Sequence, residues 1–277
     1  MTQRIVDLLA RAQLPGSDTP RLDAELLLAH VLQKPRSYLL TWPERELSAE
    51  QLTQFENLMA RRQQGQPVAY LLGEQGFWSL ALQVSPDTLI PRPDTERLVE
   101  VALELGPQRP AQVLDLGTGS GAIALALAAE RSQWQLTGVD RMPGAVALAE
   151  ANCARLGLPN ARFLLSDWFS TVADQRFALI VSNPPYIAAD DPHLQQGDVR
   201  FEPASALVSG IDGLDDIRHI VSAAPDYLEQ DGWLLLEHGW QQADAVAGLL
   251  TQRGFAEVHS WRDLGGQQRV TGGRWHG

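Results

Sequence analysis

This chain of 277 residues contains one cysteine, Cys153, so no internal disulfide can form and a reducing compartment such as the cytosol fits. Cys153 lies in a helical run over residues 143–158 and reads as a small core residue. Basic residues are scarce, with 22 Lys and Arg against 34 Asp and Glu and a net charge of −12. Long nucleic acid is therefore a poor default partner, because phosphate contacts need clustered cations. No stretch reaches the roughly 18 apolar residues of a membrane span, so no membrane is expected. The N-terminus, Met1-Thr2-Gln3-Arg4-Ile5-Val6-Asp7, lacks the apolar core of a signal peptide. A cytoplasmic protein is the expectation. His193, His219, His238 and His259 show no metal-ligand spacing with one another or with Cys153, so no metal is expected. Internal repeats and low-complexity segments are absent.

What is present falls into two territories. Up to about Gly65 apolar residues recur at helical spacing, as in Ile5, Leu8, Leu9 and Ala12, then Leu22, Leu26, Leu27 and Val31, then Leu52, Phe55, Leu58 and Met59. Pro15, Pro20, Pro35 and Pro43 punctuate these runs. This territory reads equally as a plain helical bundle or as a docking module. Phe77, Leu80, Leu82 and Val84 then suggest a short hairpin or extended linker. In the junction Ile90-Pro91-Arg92-Pro93-Asp94-Thr95-Glu96, Asp94 or Thr95 followed by Glu96 reads as a capped helix start. Beyond residue 112, strand-like runs at 113–116, 135–139, 161–165, 177–181 and 233–236 alternate with amphipathic helical stretches. That alternation implies right-handed crossovers and a parallel sheet. Runs at 256–263 and 268–275, joined by Leu264-Gly265-Gly266-Gln267, suggest an antiparallel hairpin at the sheet edge. Domains are expected at 1–74 (helical), 75–92 (hairpin and linker) and 93–277 (catalytic).

Two motifs carry chemistry. Val113-Leu114-Asp115-Leu116 runs into Gly117-Thr118-Gly119-Ser120-Gly121, a strand entering a Gly-rich turn that lets a ligand approach the backbone. The glycine spacing leans away from dinucleotides, and the Gly-Lys-Ser/Thr ending of a phosphate-binding loop is missing. Asp140 ends the second strand, where an acid can accept both hydroxyls of a ribose. Asp167 ends the third and can hold an adenine amine; Trp168 either lies against the ring or fills the core. The second motif is Asn183-Pro184-Pro185-Tyr186, after the apolar run 177–181. Two consecutive prolines stop the strand and fix an amide and an aromatic ring at its carboxyl end, where open α/β sheets bind ligands. An Asn oxygen and a flat ring suit a planar nitrogen nucleophile, either an amide or an exocyclic base amine.

With these elements placed, the chain resembles the class I S-adenosylmethionine-dependent methyltransferases, and more narrowly the bacterial release factor glutamine methyltransferases (the PrmC/HemK family). The resemblance covers nearly the whole chain and rests on the helical N-terminal territory, residues 90–96, 115–121 and 183–186, and Arg200-Phe201-Glu202-Pro203. It implies an α/β fold, a seven-stranded Rossmann-like sheet with an antiparallel last strand, behind a small helical substrate-docking domain. It also implies S-adenosyl-L-methionine as donor, S-adenosyl-L-homocysteine as product, and the Gln of the Gly-Gly-Gln loop of class I peptide chain release factors as acceptor, tuning translation termination. The expected cofactor contacts are Gly117, Thr118, Gly119, Ser120, Gly121, Asp140, Asp167, Trp168 and Asn183. The expected substrate contacts are Asn183, Pro184, Pro185 and Tyr186. Among these, the Asn183 oxygen and Pro184 carbonyl would accept the two amide hydrogens, and Tyr186 would pack on the amide plane. A monomer is expected.

Three rival readings have distinct signatures. A nucleic-acid amino-methyltransferase calls for a basic groove or a base-recognition domain. A dinucleotide oxidoreductase calls for longer glycine spacing and gives no reason for residues 183–186. A non-catalytic binding module would not need intact site residues. Gly265-Gly266-Gln267 spells the presumed acceptor motif inside the chain itself, but two glycines at a hairpin tip are ordinary turn chemistry. Arg200–Pro203 could wall a substrate groove, with residues 190–199 as a lid; His238 could border the site.

Overall fold

The computed structural model describes residues 3–277; Met1 and Thr2 of the N-terminal stretch read above lie outside them. The chain divides into two compact units, one of residues up to Glu74 together with Pro192–Phe201, the other of Gln75–Asp191 and Glu202–Gly277.

The first unit holds α1 (Ile5–Arg11), α2 (Pro20–Leu32), α3 (Arg36–Thr41), α4 (Ala49–Gln63) and α5 (Val68–Leu72). Proline opens α2 at its first position, where the missing N–H costs nothing. Ser48 and Gln51 form a reciprocal capping box on α4. Ile5, Leu9, Leu27, Leu28, Phe55 and Met59 meet in one apolar core. Arg62 ties the non-contiguous piece of this unit to α4, donating to Asp23 at 2.8 Å and to Asp198 at 2.9 Å.

A two-stranded hairpin, β1 (Glu74–Phe77) and β2 (Leu80–Gln83), lies in the second unit from Gln75 onward. There follow α6 (Glu96–Leu105), β3 (Ala111–Leu116), α7 (Ala122–Glu130), β4 (Trp134–Asp140), α8 (Pro143–Leu156), β5 (Ala161–Leu165) and β6 (Phe177–Ser182). The chain ends with α9 (Asp215–Ala223), β7 (Leu228–Glu237), α10 (Ala243–Arg253), β8 (Ala256–Arg262) and β9 (Gln268–Trp275). The seven-stranded sheet has the order β5-β4-β3-β6-β7-β9-β8, and β9 runs antiparallel to both its neighbours. The seven-stranded α/β sheet with a reversed last strand is therefore as expected.

The period-2 alternation of strand side chains explains the two faces. Val113, Leu179 and Val181 point into a core shared with Leu98 of α6, Leu125 of α7 and Ala149 of α8. Leu114, Leu116 and Ile180 point into the opposite core, shared with Ile217 of α9 and Val246 of α10. Every residue of β6 is buried, as a central parallel strand covered on both faces requires. Cys153 packs on the first core as a small apolar residue, its thiol pushed up by burial and then by Glu150.

The strand order reverses between β3 and β6, and ligands bind at such a switch point, beyond the carboxyl ends. Leu116 pairs with Val139 on one side and Ser182 on the other. Gly117, Asp140 and Asn183 therefore leave the sheet at one level. The buried Ser182 hydroxyl locks that register by donating to the Leu116 carbonyl at 2.7 Å.

Candidate active site

A concave cleft opens over these strand ends, where open α/β sheets bind ligands. Gly117, Thr118, Gly119, Ser120, Asp140, Asp167, Trp168, Asn183 and Pro185 all line it. Thr88, Leu89, Pro91, Arg92, Thr95 and Met142 are among the other lining residues, and none of these is a cofactor contact expected from sequence. Gly121 stands behind the turn, and neither Pro184 nor Tyr186 is part of the cleft lining.

The Gly-rich turn is built from left-handed backbone, with φ of +70°, +55° and +84° at Gly117, Gly119 and Gly121. Gly121 also starts α7, and a Cβ there would lie 3.0 Å from the Leu125 side chain and 3.2 Å from Ala149 and Phe163. At Gly119 a Cβ would project into the space beside Thr88, so the bare backbone faces the cleft. Beneath the turn lies the fully buried Asp115. One of its oxygens accepts from the Thr118 hydroxyl at 2.6 Å and from the Ala124 N–H at 3.3 Å, while the other has no hydrogen-bond partner. Burial, with Asp140 nearby, pushes the Asp115 carboxyl up to about 7.

Asp140 is braced from both sides. The Gly119 N–H donates to one carboxylate oxygen at 3.0 Å and the Met142 N–H to the other at 2.9 Å. A carboxylate offers about four lone-pair sites, so two remain for hydroxyls of a ligand. Trp168 is held at a φ of +47° and half-buried, packing on the second core while also walling the cleft near Gly117. Both sequence readings of Trp168, ring contact and core filler, apply to the one side chain. Asp167 is exposed at the rim. A flexible glycine cradle, an acid with spare acceptors and an aromatic wall are a donor and acceptor set that fits S-adenosylmethionine.

On the acceptor side, Asn183 follows β6, and its Nδ2 donates to the Thr95 hydroxyl at 3.2 Å. Thr95 is the residue that precedes α6, yet its side chain caps nothing there. The capped start expected at residues 94–96 is therefore a one-turn helix, Pro93–Thr95, running into α6, with the Thr95 hydroxyl turned toward the site. Glu96 is diverted too, accepting the Trp78 N–H at 2.7 Å. Tyr186 packs on the second core, with its hydroxyl pushed above the ordinary phenol range by burial and then by Glu237. Its carbonyl accepts from Gln242 at 3.1 Å.

Two further residues support the cleft walls. Glu202, whose side chain is fully buried, receives Arg92 at 2.9 and 2.8 Å and the Ile90 N–H at 3.3 Å. Arg92 of the junction motif and Glu202 of the Arg200–Pro203 motif thus form an ion pair buried on the Glu202 side and part-exposed on the Arg92 side. Arg141 reaches the Ser205 carbonyl at 3.1 Å. His238 does not line the cleft. It is fully buried between the Gly239 carbonyl and the Thr271 hydroxyl, and burial pulls its pKa down.

Comparison with known proteins adds a second line. The profile of the PrmC N-terminal domain matches residues 4–73, and that of the methyltransferase small domain matches residues 95–207. The chain is 60% identical to the release factor glutamine methyltransferase of Pseudomonas aeruginosa over 271 residues, which span 98% of each chain. It is 53% identical to that of Escherichia coli over 267 residues, 96% of each. Among solved structures, a T. thermophilus 16S rRNA methyltransferase in complex with AdoMet and guanosine superimposes with a TM-score of 0.52 and 21% identity. That match covers 73% of this chain and 49% of the other. At that identity the likeness concerns the fold.

Proposed function

This chain belongs to the release factor glutamine methyltransferases, and on that premise we propose that it methylates the side-chain nitrogen of a release factor glutamine. The acceptor is the Gln of the Gly-Gly-Gln loop of class I peptide chain release factors, and the consequence is a tuning of translation termination. The enzyme is an S-adenosylmethionine-dependent protein glutamine methyltransferase, acting as a monomer in the cytoplasm. The observation that carries the reading is Asn183, set at the cleft wall with its amide nitrogen already engaged by Thr95.

A primary amide nitrogen is a poor nucleophile, because its lone pair is delocalised into the carbonyl. Catalysis therefore depends on positioning and on acceptors aimed at the charge that develops. S-adenosylmethionine, when bound, supplies an electrophilic methyl on a sulfonium. Asp140 would hold its ribose, Asp167 and Trp168 its adenine, and the bare backbone of residues 117–121 its amino-acid part. The Asn183 oxygen and the Pro184 carbonyl accept the two hydrogens of the substrate amide, which favours rehybridisation and aims the nitrogen. Pro185 stiffens the turn and Tyr186 fixes the amide plane. The proton is then shed to water.

The test is mass spectrometry of a release factor incubated with this protein and S-adenosylmethionine. A gain of one methylene in mass on the Gly-Gly-Gln peptide is expected. Methylation elsewhere, or only on added RNA or DNA, would refute the assignment.

A further inference from the structure

Pro184 and Pro185 have no N–H groups, so the turn from Asn183 to Tyr186 cannot tie itself with hydrogen bonds from its own middle. Its geometry is set at its two ends. At the front, the Ser182 hydroxyl donates to the Leu116 carbonyl at 2.7 Å. At the back stands a single side chain, Gln242. Its Nε2 donates to the Tyr186 carbonyl at 3.1 Å and lies 3.3 and 3.4 Å from the carbonyls of Asp212 and Gly213. Its Oε1 accepts the Gly239 N–H at 2.8 Å. One amide thus joins three loops: the turn after β6, the approach to α9 and the exit from β7.

We propose that Gln242 is a positioning residue that holds Tyr186, and through it the Pro184 carbonyl, in the orientation the acceptor amide needs. The proposal rests on the amide-methylation reading above. Donor counting fixes the Gln242 amide itself. Three carbonyls face its NH2 and one N–H faces its oxygen, so turning it over would set oxygen against three carbonyls. Tyr186 is held twice. Its carbonyl is bound directly, and the peptide that donates to Gln242 also backs its ring. A Cβ at Gly239 would lie 3.7 Å from Tyr186 Cδ2 and 3.0 Å from Gln242 Oε1. Both prolines have a fixed φ, so with the two ends held little freedom is left to the peptides between. The direction of the Pro184 carbonyl follows from that.

The surroundings are built around this contact. Gly213 has a φ of +75°, and a Cβ there would clash with the Tyr186 carbonyl oxygen and lie 2.8 Å from Gln242 Nε2. Glycine alone lets these groups meet. Beyond the turn, the Ile187 N–H donates to Leu207 at 2.9 Å and the Ser209 N–H to Ile187 at 3.0 Å. The Tyr186 peptide is therefore the hinge between a fixed strand end and a paired segment, and Gln242 closes it. Gln242 is itself anchored at the start of α10, where its carbonyl accepts the Val246 N–H at 2.9 Å and Ala243, Val246 and Leu250 are buried.

The full-length enzyme is assayed with an intact release factor and S-adenosylmethionine, beside calorimetric cofactor titration and thermal melting. Gln242→Glu is nearly isosteric and keeps the acceptor for Gly239, but it removes both hydrogens that face the carbonyls. Its negative charge suits the N-terminal end of α10, so the melting temperature should hold. kcat should nevertheless fall roughly 10- to 100-fold, the scale of a misplaced acceptor, with cofactor affinity unchanged. Gln242→Leu, which removes donor and acceptor alike, should fall at least as far. Wild-type kcat in Gln242→Glu would overturn the proposal. So would a parallel loss of kcat, cofactor affinity and melting temperature in both variants, which marks a merely structural residue. A wild type that methylates no release factor sinks the underlying reading and this proposal with it.

Discussion

Asn183 and Thr95, 88 residues apart in sequence, are joined at 3.2 Å across the mouth of the cleft. The contact brings the strand-ending turn and the α6 junction into one device, and it commits the nitrogen of the Asn183 amide. Thr95 takes one of the two NH2 hydrogens, and the contact turns the oxygen away from Thr95 toward the acceptor role proposed for it. Asn183→Ala should therefore leave S-adenosylmethionine binding nearly intact while lowering methyl transfer on the order of 10²–10³, the usual cost of one lost transition-state hydrogen bond. Single-turnover rates beside calorimetric cofactor titration separate the two effects. Near-normal transfer would exclude Asn183 as the acceptor.

Asp140 is expected to matter twice, because it braces Gly119 and Met142 as well as facing the cleft. Its removal loses hydrogen bonds to a charged group, worth roughly 1.5–3 kcal/mol each, so Asp140→Ala should weaken cofactor affinity by at least about 10- to 100-fold. Asp140→Asn keeps one acceptor for the two backbone donors and should fall between. A calorimetric titration in which Asp140→Ala binds S-adenosylmethionine as tightly as the wild type would remove Asp140 from the site.

Legibility in the sequence followed the range of the interactions. Strand ends at Leu116, Asp140 and Ser182 were readable because apolar runs stop at a Gly-rich turn, an acid or a proline pair, all local signals. The apolar run predicts four residues for β7, which spans Leu228–Glu237, since its first half is polar where it leaves the covered part of the sheet. The local pattern makes Thr95 and Glu96 a helix cap; their actual partners, Asn183 and Trp78, are set by tertiary packing that no local window contains. Glu237 has a visible signal, an acid ending an apolar buried strand as Asp140 does, but its complete burial needs the fold. The pairing of Arg92 with Glu202 was equally hidden, although both residues stood in motifs already noted.

The two buried acids give a stability prediction whose sign runs against the usual acid denaturation. Burial raises Asp115 from 3.8 to about 7 and Glu237 from 4.5 to about 7. Between those limits the folded chain keeps both protons while the unfolded chain releases them. Each group's contribution is thus fully present below its unfolded pKa and is lost as pH rises toward about 7, by roughly 3–4 kcal/mol at most. Asp212, held low by its hydrogen bond to Arg218, acts oppositely but only in more acidic solution. His238, depressed by burial, opposes the trend near its ordinary range, and it is common to wild type and variants. The informative quantity is therefore the difference between proteins. Denaturant midpoints should show Asp115→Asn and Glu237→Gln gaining on the wild type as pH is raised from about 5 to 8, since the neutral amides have no proton to lose. Parallel curves for wild type and variants would mean that these carboxyls titrate near their ordinary values, and that their surroundings are better solvated than the packing implies.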